Sequence, residues 1–273
     1  MSHRLTVVGL GPGRGDWCTP EVSAIIERAT DLVGYAPYLA RVPATGAARR
    51  HASDNRVEAE RAELALNLAS DGGDVVVVSS GDPGVFAMAS AVLERLDEHP
   101  DRWRDVQVSV CPGITAAQAL ASRVGAPLGH DFCVISLSDV LKPWSVIERR
   151  LDAAAGADFV IALYNPRSRH RPHQFTDAIA VVCRHRHAST PVVVGRNVGR
   201  DEEAVTITDL ERLDHTTIDM STIVIIGSST TRVLDRPTSC QVYTPRSYAE
   251  PRLLPSVAQC REAGASPARY SPL

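Results

Sequence analysis

No stretch of this chain is long and apolar enough to cross a bilayer: its hydrophobic runs fall far short of the ~20 residues that a spanning helix needs. Met1-Ser2-His3-Arg4 leads straight into a strand-like segment without the features of an export signal, so a cytoplasmic location is expected. Positive charge is in no excess either. With 29 Lys and Arg against 32 Asp and Glu, and a formal charge of -3, nothing recommends a nucleic acid as partner, and no membrane partner is expected. The six cysteines include no C-x-x-C and no close pair, which argues against a zinc or iron-sulfur cage and leaves scattered, reduced, structural thiols. No metal site is expected. His170, His173, His185 and His187 stand among Arg169, Arg171, Arg184 and Arg186 on or beside one expected helix, which reads as a solvated basic face. Internal repeats and low-complexity tracts are also lacking.

What the chain has is an ordinary globular balance, 44% hydrophobic and 22% charged over 273 residues. That length suits two domains of roughly 150 residues each. The chain is organised around Val75-Val76-Val77-Val78-Ser79-Ser80-Gly81-Asp82-Pro83-Gly84, with Val85-Phe86-Ala87-Met88-Ala89-Ser90-Ala91-Val92-Leu93 directly behind it. Consecutive valines suit a strand buried on both faces and the run after Pro83 suits a helix, so the polar segment falls at a strand-to-helix corner. Such corners bind small molecules in open α/β sheets, and glycines let the backbone approach a ligand. The same residues also read as a plain helix start, with Asp82 as N-cap and Pro83 as first helical residue.

Leu5-Thr6-Val7-Val8 reads as a first buried strand, ended by Gly9-Leu10-Gly11-Pro12-Gly13. A dinucleotide fingerprint G-x-G-x-x-G begun at Gly9 would need glycine where Arg14 stands, and Pro12 removes an N–H that a phosphate cradle uses. Both points weigh against a nicotinamide dehydrogenase. A helix is expected over 19–29, a strand over Asp31–Tyr35, and a long irregular connection over 36–55. Its arginines Arg41, Arg49 and Arg50, with Arg56 behind them, could attract a polyanion or simply be solvated. Val57, Leu64, Ala65 and Leu68 recur at helical spacing until Asp71-Gly72-Gly73. A further strand covers 106–110, and Thr115 with Gln118 behind it has capping-box spacing. Thr115 therefore reads either as a cap or as a contact at a corner opening on the same edge of one parallel sheet.

Gly125-Ala126-Pro127-Leu128-Gly129-His130-Asp131 has the small, rigid residues of a linker. Domains are accordingly expected at 1–127 and 128–235, with a proline-rich tail over 236–273 that is mostly extended or disordered apart from an edge strand at 241–244. The second domain reads as strands at 132–137, 158–163, 191–195, 204–208 and 222–226, a helix over 143–155 and a long helix over 171–187, together forming a mixed sheet.

Taken in order, Gly9-Leu10-Gly11-Pro12-Gly13, Ser80-Gly81-Asp82-Pro83-Gly84, Pro112-Gly113-Ile114-Thr115-Ala116 and Leu163-Tyr164-Asn165-Pro166 resemble the motif series of the tetrapyrrole methylases, the S-adenosylmethionine enzymes of cobalamin, sirohaem and diphthamide synthesis. Within that family, His130-Asp131-Phe132-Cys133-Val134-Ile135-Ser136-Leu137-Ser138-Asp139, Pro143-Trp144-Ser145-Val146-Ile147-Glu148 and Thr244-Pro245-Arg246-Ser247-Tyr248 are similar to the branch that methylates C17 of precorrin-3B and contracts the ring to precorrin-4. The resemblance implies an α/β fold of two domains, a parallel-sheet domain followed by a mixed-sheet one. It further implies S-adenosyl-L-methionine in the cleft between them, S-adenosylhomocysteine as product, a tetrapyrrole substrate and a homodimer. The cofactor-binding residues it implies are Pro12, Ser80, Gly81, Asp82, Val85, Phe86, Thr115, Ala116, Tyr164, Asn165 and Gly195. Competing readings are a methylase of the same family acting at another macrocycle position, and a non-catalytic tetrapyrrole carrier.

Transfer of a sulfonium methyl to an electron-rich carbon asks chiefly for in-line placement, which can supply ~7 to 11 kcal/mol and fits the lack of a catalytic triad. Ring contraction must also move a proton. The candidates are Asp82, His130, Ser136, Asp139 and Lys142, with His130 favoured for its near-neutral ordinary pKa. Each also has a plain structural reading: Asp82 a helix cap, His130 a linker residue, Ser136 a satisfied buried hydroxyl, and Asp139 with Lys142 a surface pair.

Overall fold

In the computed structural model, residues 3–44, 47–54 and 57–248 are described, and the chain divides into two compact units, Met1–Ala116 and Ala117–Leu273. The first unit contains β1 (Arg4–Gly9), α1 (Pro20–Arg28), β2 (Asp31–Tyr35), the short α2 (Ala36–Leu39), β3 (Arg49–Ser53), α3 (Glu58–Ser70), β4 (Asp74–Ser79), α4 (Met88–Glu98) and β5 (Gln107–Cys111). Its strands lie in the order β3-β2-β4-β1-β5, all parallel. The valine run explains the two-sided cover. Successive strand residues face opposite ways, so Val75 and Val77 join Leu5, Val7, Leu66 and Val92 in one core, while Val76 and Val78 join Val8, Leu32, Val22 and Leu39 in another. All four valines are 0% exposed. A strand with no polar face must be covered twice, and each buried valine contributes about 1.5–3 kcal/mol. At the start of α1, Thr19 accepts the Val22 N–H and Pro20 fills the first turn.

Two expectations need correction here. The connection over 36–55 is not irregular, because it holds α2 and β3. The strand Arg49-Arg50-His51-Ala52-Ser53 lacks an apolar face since it forms the sheet edge, where Arg49 (2.9 Å) and His51 (2.7 Å) close on the carboxylate of the fully buried Asp31. Arg50 donates to the carbonyls of Leu39, Val42 and Pro43. Arg49 and Arg50 thus have partners within the fold, and Arg56 lies outside the described residues. The helix behind β4 also starts later than Pro83. Its N-cap is Ala87, with no side-chain cap, so Asp82 and Pro83 are not a helix start.

The second unit follows with α5 (Ala116–Val124, its first residue still in the first unit), β6 (Gly125–Ala126), β7 (Phe132–Ser136), α6 (Trp144–Gly156), β8 (Val160–Tyr164), α7 (Gln174–Val182), β9 (Pro191–Arg196), β10 (Ala204–Asp209), β11 (Thr222–Ile226), β12 (Arg232–Arg236) and β13 (Ser239–Tyr243). Its main sheet, in the order β10-β9-β11-β8-β7, is mixed, parallel only between β7 and β8. Ile135, Ile161, Leu163, Val192, Val224 and Ile226 project from one face into a core shared with Ile147, Leu151, Phe175 and Ile179 of α6 and α7. A small third sheet pairs β12 with β13 and β13 with β6, so the edge strand expected at 241–244 is present as β13; residues 249–273 lie outside those described.

The helix expected over 171–187 is shorter, and its basic residues do not form one solvated face. Arg171 and Arg186 are buried, and Arg186 donates to the carbonyls of Ala155, Phe159 and Gly227 while pairing with Asp158 at 2.9 Å. Cys18, Cys111, Cys133, Cys183 and Cys240 are free thiols, and burial pushes the Cys133 thiol up to about 11; Cys260 lies outside the described residues. Among the described residues no helix is long and apolar enough to cross a membrane, and no group of His, Cys, Asp and Glu could hold a metal ion.

Candidate functional site

Three neighbouring parallel strands, β4, β1 and β5, end side by side, and the loops at their carboxyl ends make one corner of the first unit. Glycine is required there for want of space. A side chain on Gly9 would stand 2.5 Å from the Gly81 carbonyl oxygen and 2.8 Å from the Gly113 nitrogen, and one on Gly113 would meet the carbonyls of Gly81 and Gly9. The loops can therefore close on one another only as bare backbone. Gly81 N–H donates to the Gly11 carbonyl at 2.9 Å, Gly11 N–H to the Gly81 carbonyl at 3.2 Å, and Leu10 N–H to the Ser79 carbonyl. Gly81 needs its glycine for another reason. Its φ is +67°, yet a side chain there would find nothing nearer than 3.9 Å, so the space beside it is open. Further along the same loop Phe86 is held at φ +52° with its ring half exposed. Backbone strain of this kind gathers at ligand sites.

Side chains tie this corner rather than furnish its chemistry. Asp82 accepts the Gly84 N–H on Oδ1 at 2.8 Å and the Gly113 N–H on Oδ2 at 3.1 Å, so it joins the β4 loop to the β5 loop with both oxygens engaged. Arg41 donates to the carbonyls of Leu10, Gly11 and Gly13 and to the Ser80 hydroxyl, a use that the expectation of a polyanion-attracting arginine did not foresee. Pro12, Ser80, Val85 and Phe86 lie in the first two loops, Thr115 ends the third, and Ala116 opens α5.

In the second unit the parallel pair β7 and β8 ends in loops built from polar side chains. The buried Ser136 hydroxyl accepts from Asn165 Nδ2 at 3.0 Å and from the Ser138 N–H. Asn165 sits at φ +50°, a conformation its short side chain tolerates. Arg171, 7% exposed, donates to the carbonyls of Leu137 (3.1 Å) and Asn165 (3.0 Å) and faces Asp139 at 3.9 Å, while Gln174 Nε2 donates to Asp139 at 3.0 Å. Arg171 and Gln174 were not among the expected site residues. The available signal was an arginine beside Pro172, in the loop that Asn165-Pro166 opens. Val140 and Leu141, 76% and 90% exposed, stand between Asp139 and Lys142. Burial lowers the Lys142 pKa, helped by the charge of Arg150.

His130 belongs elsewhere. It precedes β7, at the end of that strand opposite Ser136, where its ring meets Tyr248 edge-on at 5.3 Å and its Nδ1 accepts the Asp131 N–H. Of the acid-base candidates in the second unit, Ser136, Asp139 and Lys142 share the carboxyl edge of the sheet and His130 does not. Tyr164 accepts the Ala117 N–H on its hydroxyl at 2.9 Å, and a side chain on Gly195 would stand 2.5 Å from Leu120 Cδ1, so each has a structural task inside its own unit.

The chain as a whole is similar to known proteins. The family model of the tetrapyrrole (corrin/porphyrin) methylases matches residues 4–214. A precorrin-3B C(17)-methyltransferase of Sinorhizobium sp is 50% identical over 250 residues, covering 91% of this chain and 98% of that protein. A probable cobalt-factor III C(17)-methyltransferase of Salmonella typhimurium is 42% identical over 245 residues, covering 89% and 99%. The crystal structure of the methyltransferase CobJ aligns with a TM-score of 0.84 at 48% identity, over 88% of this chain and 99% of that one. A uroporphyrin-III C-methyl transferase of Thermus thermophilus, solved with S-adenyl homocysteine, shares the fold at 20% identity and a TM-score of 0.63, over 82% and 97%. With the family model matched over residues 4–214, a relative 50% identical along nearly its whole length and the fold shared with CobJ, this methyltransferase belongs to the tetrapyrrole (corrin/porphyrin) methylase family.

Proposed function

We propose that this enzyme transfers a methyl group from S-adenosyl-L-methionine to C17 of precorrin-3B and contracts the ring to give precorrin-4. The observation that carries the donor assignment is the backbone-only corner of Gly9, Gly81 and Gly113 with open space beside Gly81. A ligand held by main-chain groups fits such a corner, whose loops leave open space beside Gly81. When bound, S-adenosyl-L-methionine supplies an activated methyl on its sulfonium sulfur. The protein's part is to hold and orient. In this reading Pro12, Ser80, Gly81, Val85, Phe86 and Thr115 present the loops to the ligand, and Asp82 fixes the spacing of two of them. Ala116, Tyr164, Asn165 and Gly195 enter by motif likeness alone.

The choice of precorrin-3B over a cobalt-bearing substrate is supported by the higher likeness to the Sinorhizobium protein, 50% against 42% for the cobalt-factor III protein. For ring contraction we favour Asp139 and Lys142, which flank the exposed Val140 and Leu141, an apolar pair suited to a flat macrocycle. A homodimer belongs to the same reading. It is supported by apolar side chains on edge strands, Val110 (44% exposed) on β5 and Phe132 and Val134 (45% and 37%) on β7. The donor and free thiols both suit the cytoplasm.

Incubation with S-adenosyl-L-methionine and a panel of precorrins tests the substrate. Precorrin-3B alone should gain one labelled methyl with the absorption change of contraction; methylation confined to another precorrin overturns the reading. Alanine at Asp139 or Lys142 should leave a methylated but uncontracted product, and wild-type contraction in both variants removes them from the mechanism. Light scattering that gives a monomer mass refutes the dimer.

A further inference from the structure

We propose that Arg41 is the positioning residue of the methyl-donor site, the staple that gives a corner made of glycine its fixed shape; the proposal rests on the donor being bound at that corner. The topology brings it there. Strand β2 lies beside β4, so the chain leaving β2 through α2 emerges next to the β4 loop, and the turn after α2 carries Arg41. That turn is itself secured, because Arg50 on β3 donates to the carbonyls of Leu39, Val42 and Pro43 on either side of Arg41. From this position the guanidinium reaches the carbonyls of Leu10 (3.0 Å), Gly11 (2.8 Å) and Gly13 (3.2 Å) in the β1 loop, and the Ser80 hydroxyl (3.2 Å) in the β4 loop.

Gly9, Gly11, Gly13 and Gly81 leave these loops with few side chains of their own to restrict them, and glycine loses more conformational freedom on ordering than any other residue. A planar, five-donor fork can hold several carbonyls at once. A lysine ammonium keeps the charge but cannot span the same acceptors. Arg41 therefore acts through backbone geometry rather than through its field.

Calorimetry with S-adenosylhomocysteine on the full chain tests this, with Arg41→Ala, Arg41→Lys and, as a control, Leu66→Ala, which hollows the buried core around α3. Arg41→Ala should weaken binding about tenfold or more, on the scale of one lost charge-assisted hydrogen bond. Arg41→Lys should recover only part of it. Leu66→Ala should lower Tm while keeping wild-type affinity well below its melt. Wild-type affinity in Arg41→Ala, full recovery in Arg41→Lys, or an equal loss in Leu66→Ala would each overturn the staple. If the wild-type enzyme binds no S-adenosylhomocysteine, the donor reading itself falls, and Arg41 has no donor site to position.

Discussion

In the first unit the loops behind β4, β1 and β5 are shaped by the absence of side chains at Gly9, Gly81 and Gly113, whereas in the second the loops behind β7 and β8 are shaped by Ser136, Asp139, Asn165, Arg171 and Gln174. Each corner has one arginine that gathers backbone carbonyls, Arg41 in the first and Arg171 in the second. The difference lies in what remains free to face a ligand. The glycine corner exposes main-chain groups and open space, which suits a reactant that carries its own activation. The second corner exposes titratable groups already tied to one another, which suits chemistry in which a proton must be held at a defined place.

The comparison breaks most visibly if the two arginines prove interchangeable in effect. Arg171→Met fills the volume but leaves the carbonyls of Leu137 and Asn165 without their charged donor, so stability should fall by about 3 kcal/mol or more. Thermal melting reads this, and a Tm within a degree of wild type would show the second corner to be held by other contacts. The next effect contrasts two crowded glycines. In Gly113→Ala the new Cβ meets backbone, which cannot step aside, and the cost should be about 1–3 kcal/mol with S-adenosylhomocysteine binding lost. In Gly195→Ala it meets the ends of Leu120 and Val198, which can turn, and the loss should be smaller. Equal losses in the two variants would mean that the glycine loops yield as easily as a side chain does.

Much of this was legible before any coordinates. A run such as Val75 to Val78 has no polar face and must be a doubly covered strand, and the short, hairpin-like spacing ahead of the strand at 222–226 announces a mixed sheet. What escaped notice was polar and at an edge. Strand β3 is held by the ion pair of Arg49 and the hydrogen bond of His51 to Asp31, partners far apart in sequence, and β12 pairs with the expected edge strand β13 in a hairpin in which only Val233 and Val242 are buried. The site was legible as motifs and not as tasks. Asp82 looked like a cap because the helix was expected one turn early, and the crowding of Gly195 by Leu120 could not be read from its motif. Arg171 looked solvated because a string of basic residues does not reveal which of them turns inward.

A smaller effect sharpens the role of open space in the first corner. Gly81→Ala puts a Cβ where there is room but at a φ that L-residues resist, costing roughly 1–2 kcal/mol. Gly81→Asn should recover part of that stability, since asparagine visits this region, while its side chain enters the space assigned to the donor. A folded Gly81→Asn variant with undiminished S-adenosylhomocysteine affinity would move the donor away from this loop.

The last contrast lies between one carboxylate in each unit, Asp31 at the start of β2 and Asp219 just ahead of β11. Burial pushes Asp31 up, but hydrogen bonds from Arg49, His51 and Thr30 and the charge of Arg49 outweigh it, and the carboxyl titrates below its ordinary value. Asp219 behaves likewise, with burial outweighed by Arg196, Ser221 and Thr222. Because the folded state releases these protons more readily, the unfolded chain binds more of them near pH 4. Each pair is therefore fully stabilising above the unfolded carboxylate pKa of about 3.9 and is lost as pH falls through the lower folded value. One carboxylate adds at most one proton, so Asp31 steepens the acid limb of the stability curve by at most about 1.4 kcal/mol per pH unit. The Asp31 side chain is 0% exposed and that of Asp219 is 44% exposed, so salt should screen the second pair and not the first. Asp31→Asn should accordingly flatten the acid limb at low and high salt alike. Asp219→Asn should flatten it slightly at low salt and leave it unchanged at high salt. Stability measured by denaturant titration between pH 3 and pH 6 decides, and an Asp31 contribution that disappears in salt would show that its burial does not shield it.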